Sequence, residues 1–349
     1  MGLSTRITGL IRQRASGQQV PADGADAEPY VADTVRHGLV PDDQVSAEEV
    51  LDDGLAHATA ATAGGDWRPA AALLAAVGRN WDLRAHYAHR LGMASTTDDG
   101  WLKAWRTATP GAADATIVHA ESLVALAWEV RSAKRAQHVS GDQFATFHRI
   151  LGDAEKTALS ASTMVPDDPT PWATLVTICR GLEHGPTHFQ AVWSQLTARA
   201  PRHRRGHEQA LQYLCKKWFG SHEQMFAFAW KAAAAARSLT PLPLIAAFEY
   251  WAQEDTSMFK TTEMQTAADV VLHDWLDGEG SASPTAITDR SLVAIAYTFG
   301  GRGAAALKQF RIIGPRADSW LWTYFGTPPE KFLQIRNLAC IKAENAAGQ

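Results

Sequence analysis

The chain has 349 residues, 46% of them apolar, which is enough for one long domain or two domains with a substantial core. Its net charge of -4 argues against a general nucleic-acid-binding protein, because such proteins carry a basic excess on one face. The three cysteines lie far apart without CxxC spacing, which favours buried thiols over a disulfide framework or a zinc site. No apolar run approaches about 18 residues and no secretory signal is recognisable, so we predict a cytoplasmic protein without an integral membrane segment.

Residues 1–45 differ in composition from the rest of the chain. Between Ser16 and Pro29 the residues are mostly small or polar and few are large and apolar, so we predict a mobile segment. Before it, Leu3, Ile7 and Leu10 share one face of a short amphipathic helix. Such a helix could lie on an anionic membrane or dock to a partner, but a frayed or packed terminal helix is the favoured interpretation.

From residue 46 onward, apolar residues recur at three- and four-residue spacing between breaks at Gly and Pro, which predicts helix after helix. We divide this part into a helical repeat region at 46–277, a linker at 278–284 and a C-terminal block of helices at 285–349. The predicted helices of the first region begin with 70–77, 81–93, a helix through Trp101 and Trp105, 112–135 and 140–161. They continue with 172–182, 187–199, 203–218, 221–237, 241–253 and 262–276, and the last block adds 289–299, 302–313, 317–325 and 329–343.

One short phrase occurs twice. Gly185 to Gln190 reads GPTHFQ and Phe219 to Gln224 reads FGSHEQ, so Ser221 lies 34 residues after Thr187. This spacing is the period of a tetratricopeptide (TPR) helix-turn-helix unit, and each phrase is typical of a capping box that starts the second helix of a unit. Because such a unit cannot bury its apolar face alone, the repeat predicts stacked neighbours.

The chain resembles TPR proteins, and more narrowly an actinobacterial TPR-like family, in the run from Gln209 to Glu223 and in the segments 314–315 and 322–326. The resemblance implies an all-α, right-handed solenoid of antiparallel helical hairpins that acts as a scaffold or adaptor. In TPR proteins the first helix of each unit lines the concave groove, which would bind a protein or peptide partner. The carboxylate clamp of chaperone-binding TPR domains is absent, since its positions read Ala173, Thr177, His207 and Leu211.

Five residues are our candidates for contacting a partner. Arg204 and Arg205 belong to the densest basic cluster of the chain, which also contains Arg202 and His203. Three arginines at a helix N-terminus oppose the helix dipole, which favours a binding role for them over a solvated helix start. His207 and Leu211 follow on the same predicted helix, and Trp172 matches the start of the first helix in the TPR consensus. Tryptophan is a frequent hot-spot residue at interfaces, although most of the 13 tryptophans fall at core positions.

Histidines suggest a second hypothesis. His184, His188 and His222 lie at the turns between first and second helices, which share one rim of a stacked repeat, so they are candidate ligands for a divalent metal. The favoured interpretation is that these histidines are exposed at the starts of helices and bind no metal. A metal site needs converging ligands, and no metal-binding signature accompanies these residues. His86 and His89, with Glu121, form a weaker candidate set of the same kind.

We predict no catalytic residue and no cofactor. The sequence has no G-x-S-x-G motif, and Gly300 to Gly303 lacks the Lys and hydroxyl residue of a P-loop. A binding scaffold is therefore favoured. The alternative is a helical enzyme or small-molecule sensor that uses a histidine-rich pocket, with a divalent metal as its cofactor.

Overall fold

The computed structural model of the protein describes residues 32–132, 141–324 and 327–348. Within these ranges the chain forms 16 α-helices and no β-strand, which confirms the predicted all-α class. The first eight are α1 (Asp53–Ala63), α2 (Arg68–Val77), α3 (Trp81–Ala94), α4 (Gly100–Ala108), α5 (Ala113–Ser132), α6 (Gly141–Met164), α7 (Thr170–Gly181) and α8 (Pro186–Arg199). The others are α9 (Arg204–Tyr213), α10 (His222–Ala235), α11 (Leu242–Trp251), α12 (Thr262–Val270), α13 (Ala286–Phe299), α14 (Gly303–Ile313), α15 (Trp320–Thr323) and α16 (Pro328–Ala347).

Consecutive helices pack as hairpins, and the odd-numbered helices form a row of their own. From α3 to α13, each odd-numbered helix contacts the next one: α3 contacts α5, α5 contacts α7, and the series continues through α9 and α11 to α13. The even-numbered helices pack beside the row, for example α6 against α5 and α7, and α10 against α11. We call the surface formed by α3, α5, α7, α9 and α11 the odd-helix face.

Local side-chain bonds explain where several helices begin. Ser221 caps α10, because its side chain accepts a hydrogen bond from the backbone N–H of Gln224, as predicted. The same prediction for Thr187 is wrong. Helix α8 begins at Pro186 with Gly185 before it, since proline suits the first helical position, where its missing N–H costs nothing. The third predicted box begins at Ser140, which lies outside the described residues.

Three clusters of buried apolar side chains follow one another along the chain. The first involves α1 to α5, the second α5 to α9, and the third runs from Leu211 to Cys340 and also includes Ala32 and Leu39. The third cluster contains residues from both sides of the predicted linker. Within 278–284, Gly280 is buried against the ring of Trp275, where a Cβ would come within 2.4 Å of ring atoms. The segment therefore joins two halves of one core and does not separate two blocks.

Residues 32–50, which we call the N-terminal strap, pack against the C-terminal helices. The backbone N–H of Ala32 donates to Asn337 Oδ1 at 2.7 Å, and His37 Nε2 lies 2.9 Å from Glu344 Oε1, both on α16. Ser46 pairs with the backbone before α15, donating to the carbonyl of Pro315 at 2.9 Å. Residues 32–45, part of the segment 1–45 that we predicted to be mobile, thus contact the C-terminal helices, while 1–31 lie outside the described residues.

Candidate functional site

Four odd-numbered helices bring a charged cluster together on the odd-helix face. It contains His89 from α3, Glu121 from α5, Thr174 from α7 and Arg205 from α9, and we call it the four-helix cluster. Glu121 Oε2 lies 2.9 Å from His89 Nδ1 and 3.3 Å from Arg205 Nη2, and Glu121 Oε1 accepts a hydrogen bond from Thr174 Oγ1 at 2.6 Å. Arg205 Nη2 also lies 2.9 Å from His89 Nδ1.

These contacts compete at one atom of the histidine. If His89 Nδ1 carries a proton, it donates to Glu121; if it does not, it accepts from Arg205. Desolvation, followed by the positive charge of Arg205, lowers the pKa of His89, so its ring is neutral at pH 7. A neutral ring can therefore make either hydrogen bond, depending on which of its nitrogens carries the proton.

Glu121 is charged although it is almost fully buried. Burial opposes the charged form, but Arg205, His89 and Thr174 outweigh it and lower the pKa of Glu121 to about 2. The close approach of α3 and α5 that allows this contact depends on Gly92, where a Cβ would come 2.7 Å from Glu121 Cβ and 2.8 Å from Ser122 N. The small residue at this position thus allows His89 to reach Glu121.

A second group of cations lies at the far ends of α5 and α7. The guanidinium carbon of Arg180 lies 5.0 Å from the ring centre of Trp128 and 5.7 Å from that of Trp218, and Arg131 lies 4.9 Å from Trp218. Desolvation lowers the pKa of Arg180 to about 10, and the charges of Arg131 and Arg205 act in the same direction. Arg180 Nε is buried and has no hydrogen-bond partner among the described residues. Arg180 Nε is therefore a cationic donor that the described residues leave without a hydrogen bond.

The face continues on α11 with a buried carboxylate. Glu249 accepts hydrogen bonds from Lys217 Nζ at 2.5 Å and from Gln212 Nε2 at 2.6 Å, and Tyr324 OH lies 3.3 Å from it. Desolvation disfavours the charged form of Lys217, but Glu249 outweighs it, so the pKa of Lys217 is raised. Lys217 thus has a carboxylate partner in Glu249, whereas Arg180 Nε has no hydrogen-bond partner among the described residues.

The structure places the predicted partner-binding residues differently from our prediction. Arg204, His207 and Leu211 are buried, because α9 packs against α3, α7, α10 and α11. The guanidinium of Arg204 pairs with Asp289 and Glu208, each at 2.7 Å, and His207 packs between aromatic rings. These three side chains therefore face the core and not a groove. Arg205 and Trp172 keep part of their surface exposed, and Trp172 stacks with Arg199.

The predicted metal ligands separate into two places. His184 and His188 come together, but their acidic companion is Glu155 of α6, and the donor atoms of these three residues lie within 4.8 Å of one another. His222 instead pairs with Glu254, at 3.2 Å. The prediction that His222 shares the site is wrong, because His222 begins α10 in the next hairpin and lies beside Glu254. Glu155 could have been found by asking which residue of the preceding helix reaches the turn between α7 and α8.

Burial disfavours the ionised form of all three thiols, and it raises the pKa of Cys340 to about 11. Burial raises the pKa of Cys179 and Cys215 to about 12, so both remain protonated at neutral pH. In the part of the chain that the structure describes, no helix combines the length and apolar character needed to cross a membrane. No family model and no curated protein matches the chain.

Proposed function

We propose that the protein is a cytoplasmic scaffold or adaptor that binds an acidic segment of a protein partner on its odd-helix face. The hairpins would stack as a right-handed solenoid, with the odd-helix face as its concave side. Arg180 and Arg205 would receive a carboxylate of the partner, in place of the buried residues predicted from the sequence.

The observation that carries this proposal is Arg180 Nε, a buried donor without a hydrogen-bond partner among the described residues. A buried donor without a partner costs roughly 1–3 kcal/mol, and more when the donor is charged. A carboxylate placed against Arg180 would remove that cost and would also reduce the repulsion from Arg131 and Arg205. Arg205 Nε is likewise buried without a hydrogen-bond partner among the described residues, so a second acidic group of the partner could bind there.

The surroundings of Arg180 suit a peptide. Trp128 and Trp218 are partly exposed, and their rings lie 6.1 Å apart in an edge-to-face arrangement. Tryptophan and arginine are the side chains most enriched at interface hot spots, because they combine a large apolar surface with directed hydrogen bonds. A partner could therefore place an apolar side chain on the rings and an acidic group on the guanidinium.

A quantitative cross-linking pull-down from lysate of the native host tests the proposal. The full chain is compared with Arg180→Gln and with Lys231→Gln, which removes an exposed positive charge from α10. We expect a stoichiometric partner with the wild type and with Lys231→Gln, and its loss with Arg180→Gln. Melting curves establish that all three proteins are folded.

Two outcomes would contradict the proposal. Equal recovery of the partner by Arg180→Gln would show that Arg180 does not contact it. If no protein is recovered by any variant, the scaffold function is refuted, and a screen of small carboxylates and phosphates would test the alternative of a sensor or enzyme.

A further inference from the structure

Glu155, His184 and His188 form a cluster at the turn between α7 and α8. His184 Nε2 lies 2.7 Å from Glu155 Oε1, and His188 Nε2 lies 3.6 Å from the same oxygen. The two imidazole rings are 4.1 Å apart between centres, with an angle of 32° between their planes. Two ring nitrogens thus point at one carboxylate oxygen.

This geometry is close to that of a metal site. In a tetrahedral zinc site with Zn–N and Zn–O bonds of about 2.0–2.1 Å, neighbouring ligand atoms are roughly 3.4 Å apart. The three donor atoms here lie within 4.8 Å of one another, so shifts of about 1 Å would place them around one ion. Rotation about the side-chain bonds of His188, the most exposed of the three, can provide most of that movement.

The backbone holds the site in place. The backbone N–H of His184 donates to the carbonyl of Cys179 at 2.9 Å, and the carbonyl of His184 accepts a hydrogen bond from Tyr213 OH at 2.7 Å. Glu183, just before it, has a positive φ of 57°, which is uncommon for a residue other than glycine and fixes the direction of the turn. His188 lies in the first turn of α8 and Glu155 within α6, so all three ligands project from ordered backbone.

We propose that Glu155, His184 and His188 bind one divalent first-row transition metal ion, with zinc as the best match to two imidazoles and a carboxylate. The fourth position faces solvent, because His188 is 49% exposed, and would be filled by water or by a side chain of another molecule. This site is independent of the proposed binding of an acidic partner at Arg180.

Calorimetric titration of the metal-free full chain with Zn²⁺ alone tests the site, using protein without a histidine tag. We expect one ion per chain. His188→Gln should weaken binding by more than about 100-fold, since even residues behind the ligands change metal affinity by about 10–100-fold. Glu155→Gln should weaken it as well. Co²⁺ should give the intense visible absorption of a tetrahedral site, and that absorption should disappear in His188→Gln.

His222→Gln is the matched control, because it removes a partly exposed imidazole that also pairs with a glutamate. It should bind Zn²⁺ as the wild type does. Since His188 is half exposed, its substitution should not impair folding, and a melting curve checks this. Absence of stoichiometric binding by the wild type, or equal affinity in His188→Gln, would overturn the proposal.

Discussion

Arg204 lies at the start of α9, and its replacement tests whether the basic run serves folding or binding. Its side chain is 6% exposed, and its guanidinium donates to Asp289, to Glu208 and, at 2.8 Å, to the carbonyl of Ser238. Asp289 is fully buried in α13. Arg204→Met keeps much of the side-chain volume but leaves Asp289 buried without its cation.

The expected loss follows from these contacts. Removing one partner of a buried ion pair costs about 3–5 kcal/mol, because the remaining charge is desolvated and unpaired. Asp289 would keep hydrogen bonds from Trp275 Nε1 and Thr285 Oγ1, each at 2.9 Å, so we expect the lower end of the range, about 3 kcal/mol. The double variant Arg204→Met with Asp289→Asn should lose less than the sum of the single changes, with a coupling of about 0.5–3 kcal/mol.

Urea denaturation followed by circular dichroism measures this loss. Lys216→Met is the control, since Lys216 forms an exposed pair with Glu254 at 2.8 Å and exposed pairs contribute only about 0–1 kcal/mol. A loss below about 1 kcal/mol for Arg204→Met, or strict additivity in the double variant, would refute the assignment of Arg204 to the core.

Two further predictions concern residues of α3 beside the four-helix cluster. Gly92→Ala should destabilise the protein by about 1–3 kcal/mol, because the new Cβ meets Glu121 and the backbone of α5. Gly152→Ala is the control: a Cβ has open space there, so this change should be neutral or stabilising. Melting curves compare the two variants with the wild type. Desolvation lowers the pKa of His86 to about 4. As the pH falls from 6.5 to 4, the unfolded chain therefore binds a proton at His86 that the folded protein does not bind. The free energy of unfolding should decrease over this range, by up to about 1.4 kcal/mol per pH unit. His86→Gln should reduce that slope in melting curves but not remove it, since His119 has its pKa lowered to about 4 as well; an unchanged slope would contradict the assignment.

Local signals predicted most of the helices, although α1 (Asp53–Ala63) is not among those predicted. The helix predicted at 241–253 is α11, Leu242–Trp251, and the one predicted at 187–199 is α8, Pro186–Arg199, because proline, glycine and apolar spacing act over a few residues. The helix predicted at 262–276 ends its α-helical part at Val270 and continues as a π-helix over Val271–Leu276. Nothing in the apolar spacing distinguishes these two forms.

The site could be predicted only in part, because its contacts join distant parts of the chain. The partner of Arg204 lies 85 residues away and Glu155 lies 29 residues before His184. A run of arginines is typical of an exposed surface, and only the packing of α9 shows which of them points inward. The surroundings of Arg180 could not be predicted for the same reason, since its neighbours come from α5 and from the segment after α9.

The N-terminal strap also makes a link at its other end. Glu49 forms an ion pair with Arg90 of α3, and the backbone N–H of Val50 donates to Asp318 beside α15. The strap therefore bridges an early hairpin and the last ones. In a linear stack of hairpins each unit contacts only its neighbours, so the two ends fray first and unfolding can spread inward from them. Here loosening the last helices would also break contacts made by residues 32–50, near the start of the described chain. We therefore expect the opening of the first and last units to be coupled.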